Sequence, residues 1–152
     1  MAASDRTPHP GLLLLAFMGL GRLLEWLRPL EPGLPFAWRA AGTAGLWGSA
    51  SVLLVWALVH FRRQGTSPEP NHPVTALITA GPYRWSRNPL YLANVAVLGG
   101  FGLLLDSGWG LLLTGLQAAI LHRWVVLREE HRLAAQFGET YRAYCARVRR
   151  WL

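Results

Sequence analysis

An all-α membrane protein, a bundle of about four transmembrane helices plus a cytoplasmic C-terminal helix, is the fold class this sequence predicts. Three observations carry it. Of the 152 residues, 52% are hydrophobic and only 15% are charged. The apolar residues gather into four runs, residues 11–27, 40–59, 90–105 and 109–127; at about 1.5 Å per residue each crosses or nearly crosses a hydrocarbon core. The basic residues, all arginine, largely avoid those runs and give a formal net charge of +7, an asymmetry that follows from positive-inside topology and argues against nucleic acid as a partner. The chain reads as one domain, residues 1–152.

Residues 1–10 are a short polar lead into the first run. Arg22 and Glu25 interrupt its far half and no small-residue cleavage pattern follows, so it reads as an uncleaved membrane helix. These two charges stand three apart on one helix face and are expected to pair, because an isolated charge in lipid is expensive. Pro29, Pro32, Gly33 and Pro35 make residues 28–39 a turn. In the second run Gly42, Ala44, Gly45, Gly48, Ser49, Ala50 and Ser51 predict a packing face, since small residues let helix backbones approach in lipid. His60, Arg62 and Arg63 close that run on a basic side, and a proline-rich loop, residues 65–80, follows. Its residues 74–78 offer apolar side chains that can fold over a site at the membrane surface.

Asp106 to Gly108 is a tight polar break between the third and fourth runs and predicts a helical hairpin. The loop after the second span and the tail after the fourth hold most of the arginines, which places both on the cytoplasmic side together with both termini. Residues 127–148 continue the fourth helix into the cytoplasm, and Glu130, Ala134, Phe137, Tyr141, Tyr144 and Val148 fall on one stripe of it. Glu130 begins that stripe, while Glu129 lies about 100° round the axis. Cys145, the single cysteine, leaves no intrachain disulfide and no cysteine-based metal cage, and no metal site is expected.

The chain is organised around residues 81–91, Gly-Pro-Tyr-Arg-Trp-Ser-Arg-Asn-Pro-Leu-Tyr. Gly81 and Pro82 form a turn pair, Pro89 suits the first position of a helix, and Asn88 before it is placed to cap. Arg84 and Arg87 set fixed cations beside a helix start whose free N–H groups already favour anions, so a carboxylate or phosphate can be held there.

The stretch Gly-Pro-Tyr-Arg-x-x-Arg-Asn-Pro-x-Tyr, two spans, Glu129-Glu130, then Phe137-Gly138-x-x-Tyr141-x-x-Tyr144 resembles the isoprenylcysteine carboxyl methyltransferase family, itself similar to the phospholipid N-methyltransferases. The resemblance covers residues 65–152. Where that family reads Arg-His-Pro, this chain has Arg87-Asn88-Pro89, a departure associated with bacterial relatives and hence with an inner membrane. The resemblance implies S-adenosylmethionine bound at the cytoplasmic face, between residues 65–91 and 128–152. It implies cofactor-binding roles for Gly81, Pro82, Tyr83, Arg84, Arg87, Asn88, Pro89, Tyr91, Glu129, Glu130, Tyr141 and Tyr144, and catalytic roles for Arg87, Asn88 and Glu130. Of the two carboxylates Glu130 is the first choice. No glycine-rich strand-turn-helix motif is present, so the cofactor would be bound otherwise than in soluble dinucleotide-binding folds. The implied reaction is in-line methyl transfer to a lipophilic or small thiol, carboxylate or amine acceptor reaching the site from the bilayer; an amine would need a base, with Glu130, His131 and His122 as candidates. The other reading is a non-catalytic membrane binding or assembly protein that keeps the fold.

Overall fold

A computed structural model describes residues 9–65 and 76–152; most of the proline-rich loop expected over residues 65–80 lies outside the described residues. The described chain forms five α-helices: α1 (Pro10–Leu27), α2 (Phe36–Arg63), α3 (Pro89–Leu104), α4 (Gly108–Ile120) and α5 (Leu127–Arg147). A 3-10 turn, Gly81–Arg84, precedes α3, and a π-helical turn, Leu121–Val126, joins α4 to α5 without a break. Three helical stretches are long and apolar enough to cross a membrane: α1, α2, and the rod Gly108–Arg147 that contains α4 and α5. The fourth apolar helix, α3, has 16 residues and reaches about 24 Å at 1.5 Å per residue, short of a ~30 Å core. We read the membrane-crossing part of the rod as ending near Leu127, where its sequence turns polar.

α3 is the centre of the bundle, and its glycines explain why. Thr43 Oγ1 donates to the Gly100 carbonyl (3.1 Å) and Trp47 Nε1 to the Val97 carbonyl (3.1 Å), which locks α2 antiparallel against α3. A Cβ on Gly100 would come within 2.4 Å of Trp47 Nε1, and one on Gly102 within 2.9 Å of the Gly110 carbonyl carbon. Both substitutions would force helices apart. On the other side, Phe17 of α1 packs with Leu98 and Leu113 in a buried cluster.

The buried face of α2 is Thr43, Ala50 and Ala57, a stripe at seven-residue spacing. The packing face expected from its small residues is therefore narrower than the sequence suggests. Ala50 belongs to it and Gly42 abuts Leu103, but nothing lies within 4 Å of where a Cβ on Gly45 or Gly48 would be. The helix also starts at Phe36, earlier than residue 40, because Pro35 suits the position before a helix and Arg39 is accommodated inside it, near Asp106 (3.9 Å).

Arg22 and Glu25 do not form the expected pair. Arg22 is exposed, whereas the Glu25 carboxylate accepts hydrogen bonds from the Ser107 hydroxyl and from the Leu30 amide (2.7 Å). Two turns at the same end of the bundle thereby satisfy the carboxylate, which removes the need for a cation on its own helix. Ser107 also caps α4, accepting from Gly110 N (3.1 Å).

The long final helix carries two irregularities that composition does not announce. A π-helical turn holds an extra residue, so it changes the facing of α5 relative to α4. Gly138 has φ 51° and ψ −123°, a conformation open essentially to glycine alone. Gly138→Ala is accordingly expected to destabilise the protein by about 1–3 kcal/mol, read as a lower thermal midpoint in detergent. An unchanged midpoint would show that the kink is dispensable.

Candidate active site

Asn88 occupies the position before α3 and Pro89 its first turn, as expected, but the Asn88 side chain makes no capping hydrogen bond. Its Nδ2 donates instead to the Arg150 carbonyl (2.8 Å). The carboxamide turns that way because the C-terminal residues run alongside residues 86–88. A single parallel bridge joins Ser86 to Arg149, and Arg87 N donates to the Arg149 carbonyl (3.0 Å). Residues 148–151 thus form a strap behind the start of α3. The strap is pinned by two neighbouring residues. Arg150 grips Glu130 with two hydrogen bonds (Nε–Oε1 2.9 Å, Nη2–Oε2 2.8 Å), and Trp151 packs on the buried cluster of Tyr91, Leu121, Val125 and Val126.

In front of the strap lies a cavity of about 400 Å³, within the ~300–1,000 Å³ of small-molecule sites. Its walls come from α2 (Leu54, Leu58, Phe61), the approach to the 3-10 turn (Ala76, Leu77, Ile78), the start of α3 and the membrane-proximal part of α5. Of the residues singled out in the sequence, Tyr83, Arg87, Asn88, Tyr91, Glu129, Glu130, Tyr141 and Tyr144 line it. The remaining four do not. Gly81, at φ 63°, starts the 3-10 turn and lies so close to His60 that a Cβ would meet the ring at 2.5 Å. Pro82 and Pro89 are buried supports, and Arg84 is exposed.

The two glutamates differ sharply. Glu130 is neutralised twice, by Arg150 and by Arg87 (3.1 Å). Glu129 faces α3 and accepts from the Tyr91 hydroxyl (2.9 Å). Burial holds the Glu129 carboxyl above its ordinary range, against the Tyr91 hydrogen bond that lowers it. Burial likewise raises the Tyr83, Tyr141 and Tyr144 phenols, keeping them protonated; Tyr144 donates to the Tyr83 carbonyl (2.7 Å). Arg87 also contacts Cys145 Sγ through Nη1 (2.7 Å), while its buried Nε has no partner among the described residues. A guanidinium in the cavity wall, and a carboxylate whose charge is raised in energy by burial, are complementary to a ligand carrying one negative and one positive group.

Outside this constellation, His131 is exposed and His122 receives a long hydrogen bond from Trp151 (3.4 Å).

The family model described as phospholipid methyltransferase matches residues 38–140. This chain belongs to the phospholipid methyltransferase family. The family match contains Arg87, Asn88, Glu129 and Glu130, whereas α1, Tyr141, Tyr144 and the strap lie outside it. Membership makes this a protein of a membrane methyltransferase group, in line with its apolar helices. The chain is also similar to the nickel-cobalt-cadmium resistance protein NccN of Alcaligenes xylosoxydans xylosoxydans, 34% identical over 65 residues, 43% of this chain and 30% of that protein. It thus spans well under two thirds of that relative's length. No solved structure matches.

Sequence reasoning missed Arg150, whose guanidinium completes the Glu130 pair, and Asn94, which lines the cavity from inside α3. A signal existed for Asn94: a polar side chain within an otherwise apolar span is a functional candidate by default. Arg150 had none, being one arginine in a basic tail.

A pH dependence follows from Glu129. Its carboxyl binds a proton more tightly in the folded protein than in the unfolded chain, whose value is 4.5. Stability is therefore fully retained below that value and falls as pH rises through the raised one. A cationic ligand group facing Glu129 reverses the preference, so affinity for such a ligand is expected to weaken as pH falls through the same window, with uptake of the ligand releasing up to one proton. Titrations in buffers of different ionisation enthalpy measure that release directly.

Proposed function

We propose that this protein is an S-adenosylmethionine-dependent methyltransferase of the membrane, transferring a methyl group to a lipophilic or small thiol, carboxylate or amine acceptor. The observation that carries the reading is the presence of the Arg87 guanidinium and the Glu129 carboxylate in the wall of one apolar, aromatic-walled cavity. S-adenosylmethionine offers a carboxylate to Arg87 and an ammonium to Glu129, and when bound it supplies a methyl group made electrophilic by the sulfonium.

In this reading each residue has a separate task. Arg87 holds the carboxylate and is itself oriented by Glu130; Arg150 keeps Glu130 in place from behind. Glu129 fixes the ammonium end, with the Tyr91 hydroxyl setting the rotamer of its carboxylate. Tyr83, Tyr141 and Tyr144 wall the site and exclude water, which would otherwise compete as acceptor. Asn88 acts through the strap. The Glu130 carboxylate is occupied by the guanidiniums of Arg87 and Arg150; a thiolate or carboxylate acceptor needs no base.

The arginines support an orientation. Arg62, Arg63, Arg84, Arg87, Arg128, Arg132, Arg142, Arg147, Arg149 and Arg150 belong to segments at the cavity end of the bundle, while Arg28 and Arg39 flank the opposite turn, so the cavity is read as cytoplasmic. The similarity to a bacterial protein supports an inner-membrane setting.

The reading is tested with protein in nanodiscs and methyl-labelled S-adenosylmethionine, offered alkyl thiols, alkylamines, fatty acids and phosphatidylethanolamine in turn. Label transferred to one acceptor class, and lost in Arg87→Ala, supports it. Cofactor binding with no transfer to any class would favour a non-catalytic binding or assembly protein.

A further inference from the structure

A second cavity, of about 360 Å³, adjoins the first and shares Leu54, Leu90 and Asn94 with it. It arises because α1 and α2 each pack on α3 without packing closely on each other. Leu14 of α1 and Trp47, Ala50 and Ser51 of α2 face it from either side, with Ala93 and Val97 of α3 as its floor. The lining is apolar except at defined points. Trp47 directs its indole N–H to the Val97 carbonyl (3.1 Å), so this end of the cavity has an apolar wall.

The other end is polar, and it is held rigidly. Asn94 Oδ1 accepts from Gln117 Nε2 (2.9 Å), and Asn94 Nδ2 donates to the Pro10 carbonyl at the start of α1 (3.2 Å). Gln117 is fully buried in α4, and its Oε1 has no partner among the described residues. A buried amide with an orphaned acceptor inside an apolar helix is unfavourable for folding alone. Its effect here is to fix the rotamer of Asn94, which lines both cavities where they meet. Each Asn94 amide atom keeps further hydrogen-bonding capacity.

Building on the methyl-transfer reading, we propose that the second cavity is the acceptor subsite. It takes the apolar tail of a single-chain amphiphile entering from the bilayer between α1 and α2. Asn94, positioned by Gln117, receives the polar head beside the first cavity. The volume, on the order of a dozen water-sized groups at about 30 Å³ each, suits one such tail and not the two long chains of a diacyl lipid.

The test uses full-length protein in nanodiscs with three probes, decylamine, decanethiol and decanoate, each carrying a diazirine at the tail end. Irradiation is expected to label Trp47, Ser51 or Val97 with at least one probe. Ser51→Trp, which fills the cavity from an exposed position of α2, is expected to lower that labelling about tenfold or more. Gln117→Leu should lower it about tenfold, the loss expected for one hydrogen bond to the head, while Gln117→Glu, whose neutral acid can still donate to Asn94 Oδ1, should restore it. Labelling confined to the outer α2 residues Val52 and Val55, or cavity labelling unchanged in Ser51→Trp, would overturn the proposal. S-adenosylmethionine titrated into the same samples separates the two claims. Its failure to bind removes the methyl-transfer reading, and the labelling pattern still decides whether the second cavity holds a single-chain amphiphile.

Discussion

Glu129→Gln is expected to weaken S-adenosylmethionine binding by about 10- to 100-fold while leaving the unliganded protein at least as stable as the parent at pH 8. The first half follows from removing a charge-assisted contact to the ammonium group, typically about 1.5–3 kcal/mol. The second half follows from the sign of the Glu129 shift. Burial makes its ionised form unfavourable in the folded protein, so above the raised pKa the parent carries a penalty that the neutral amide lacks. Tyr91 keeps its partner, because the amide oxygen accepts from the hydroxyl as the carboxylate does. The stability gain should vanish well below pH 4.5, where Glu129 is protonated in the folded and the unfolded state alike. Thermal midpoints at the two pH values, with calorimetric affinities, check both halves together. A variant that loses stability and keeps its affinity would make Glu129 a structural group.

Glu130→Ala should act in the opposite direction on stability. Its carboxylate is shared by Arg87 and Arg150, and its loss leaves two guanidiniums facing each other with no anion between them. Removing one partner of a fully buried pair costs ~3–5 kcal/mol; because Arg150 is 37% exposed at its side chain, about 2–3 kcal/mol is expected here. The damage should be local to the strap. Faster hydrogen exchange at the Arg87 amide, which donates to the Arg149 carbonyl, would register it. Affinity for S-adenosylmethionine should fall as well, through the freed Arg87, and Glu130→Gln should recover part of the stability. Equal effects of Glu129 and Glu130 substitutions on both quantities would contradict the division of roles.

That division shows where a linear reading of the chain stops. The helices were legible because each apolar run is long, bounded by Pro, Gly or arginine, and needs no partner to be recognised. The inward stripe of α5 was legible for the same reason: Tyr141 and Tyr144 are buried as their spacing requires. Within that stripe Glu130 was the natural first choice. What the spacing does not contain is the strap, whose Arg150 occupies Glu130 from 20 residues away and leaves Glu129 as the carboxylate available to a ligand. Asn88 illustrates the same limit. Its place before Pro89 was readable, but its hydrogen bond to Arg150 joins residues 62 apart, and tertiary proximity overrode local capping. Arg84 and Arg87 are equivalent as letters near a helix start; only the 3-10 turn between Gly81 and Arg84 separates an exposed guanidinium from one in the cavity wall. Gly138 is readable only as one glycine within a helical run, and its positive φ is what reveals that the helix is kinked there.

The most direct test of the account is calorimetric titration of the folded, detergent-solubilised protein with S-adenosylmethionine and S-adenosylhomocysteine. Both share the amino-acid end that Arg87 and Glu129 are proposed to hold, so saturable binding of each at one site per chain is predicted, and Arg87→Ala should abolish it. Absence of binding to protein that remains folded would contradict the cofactor assignment and leave a membrane binding or assembly protein that retains the methyltransferase fold.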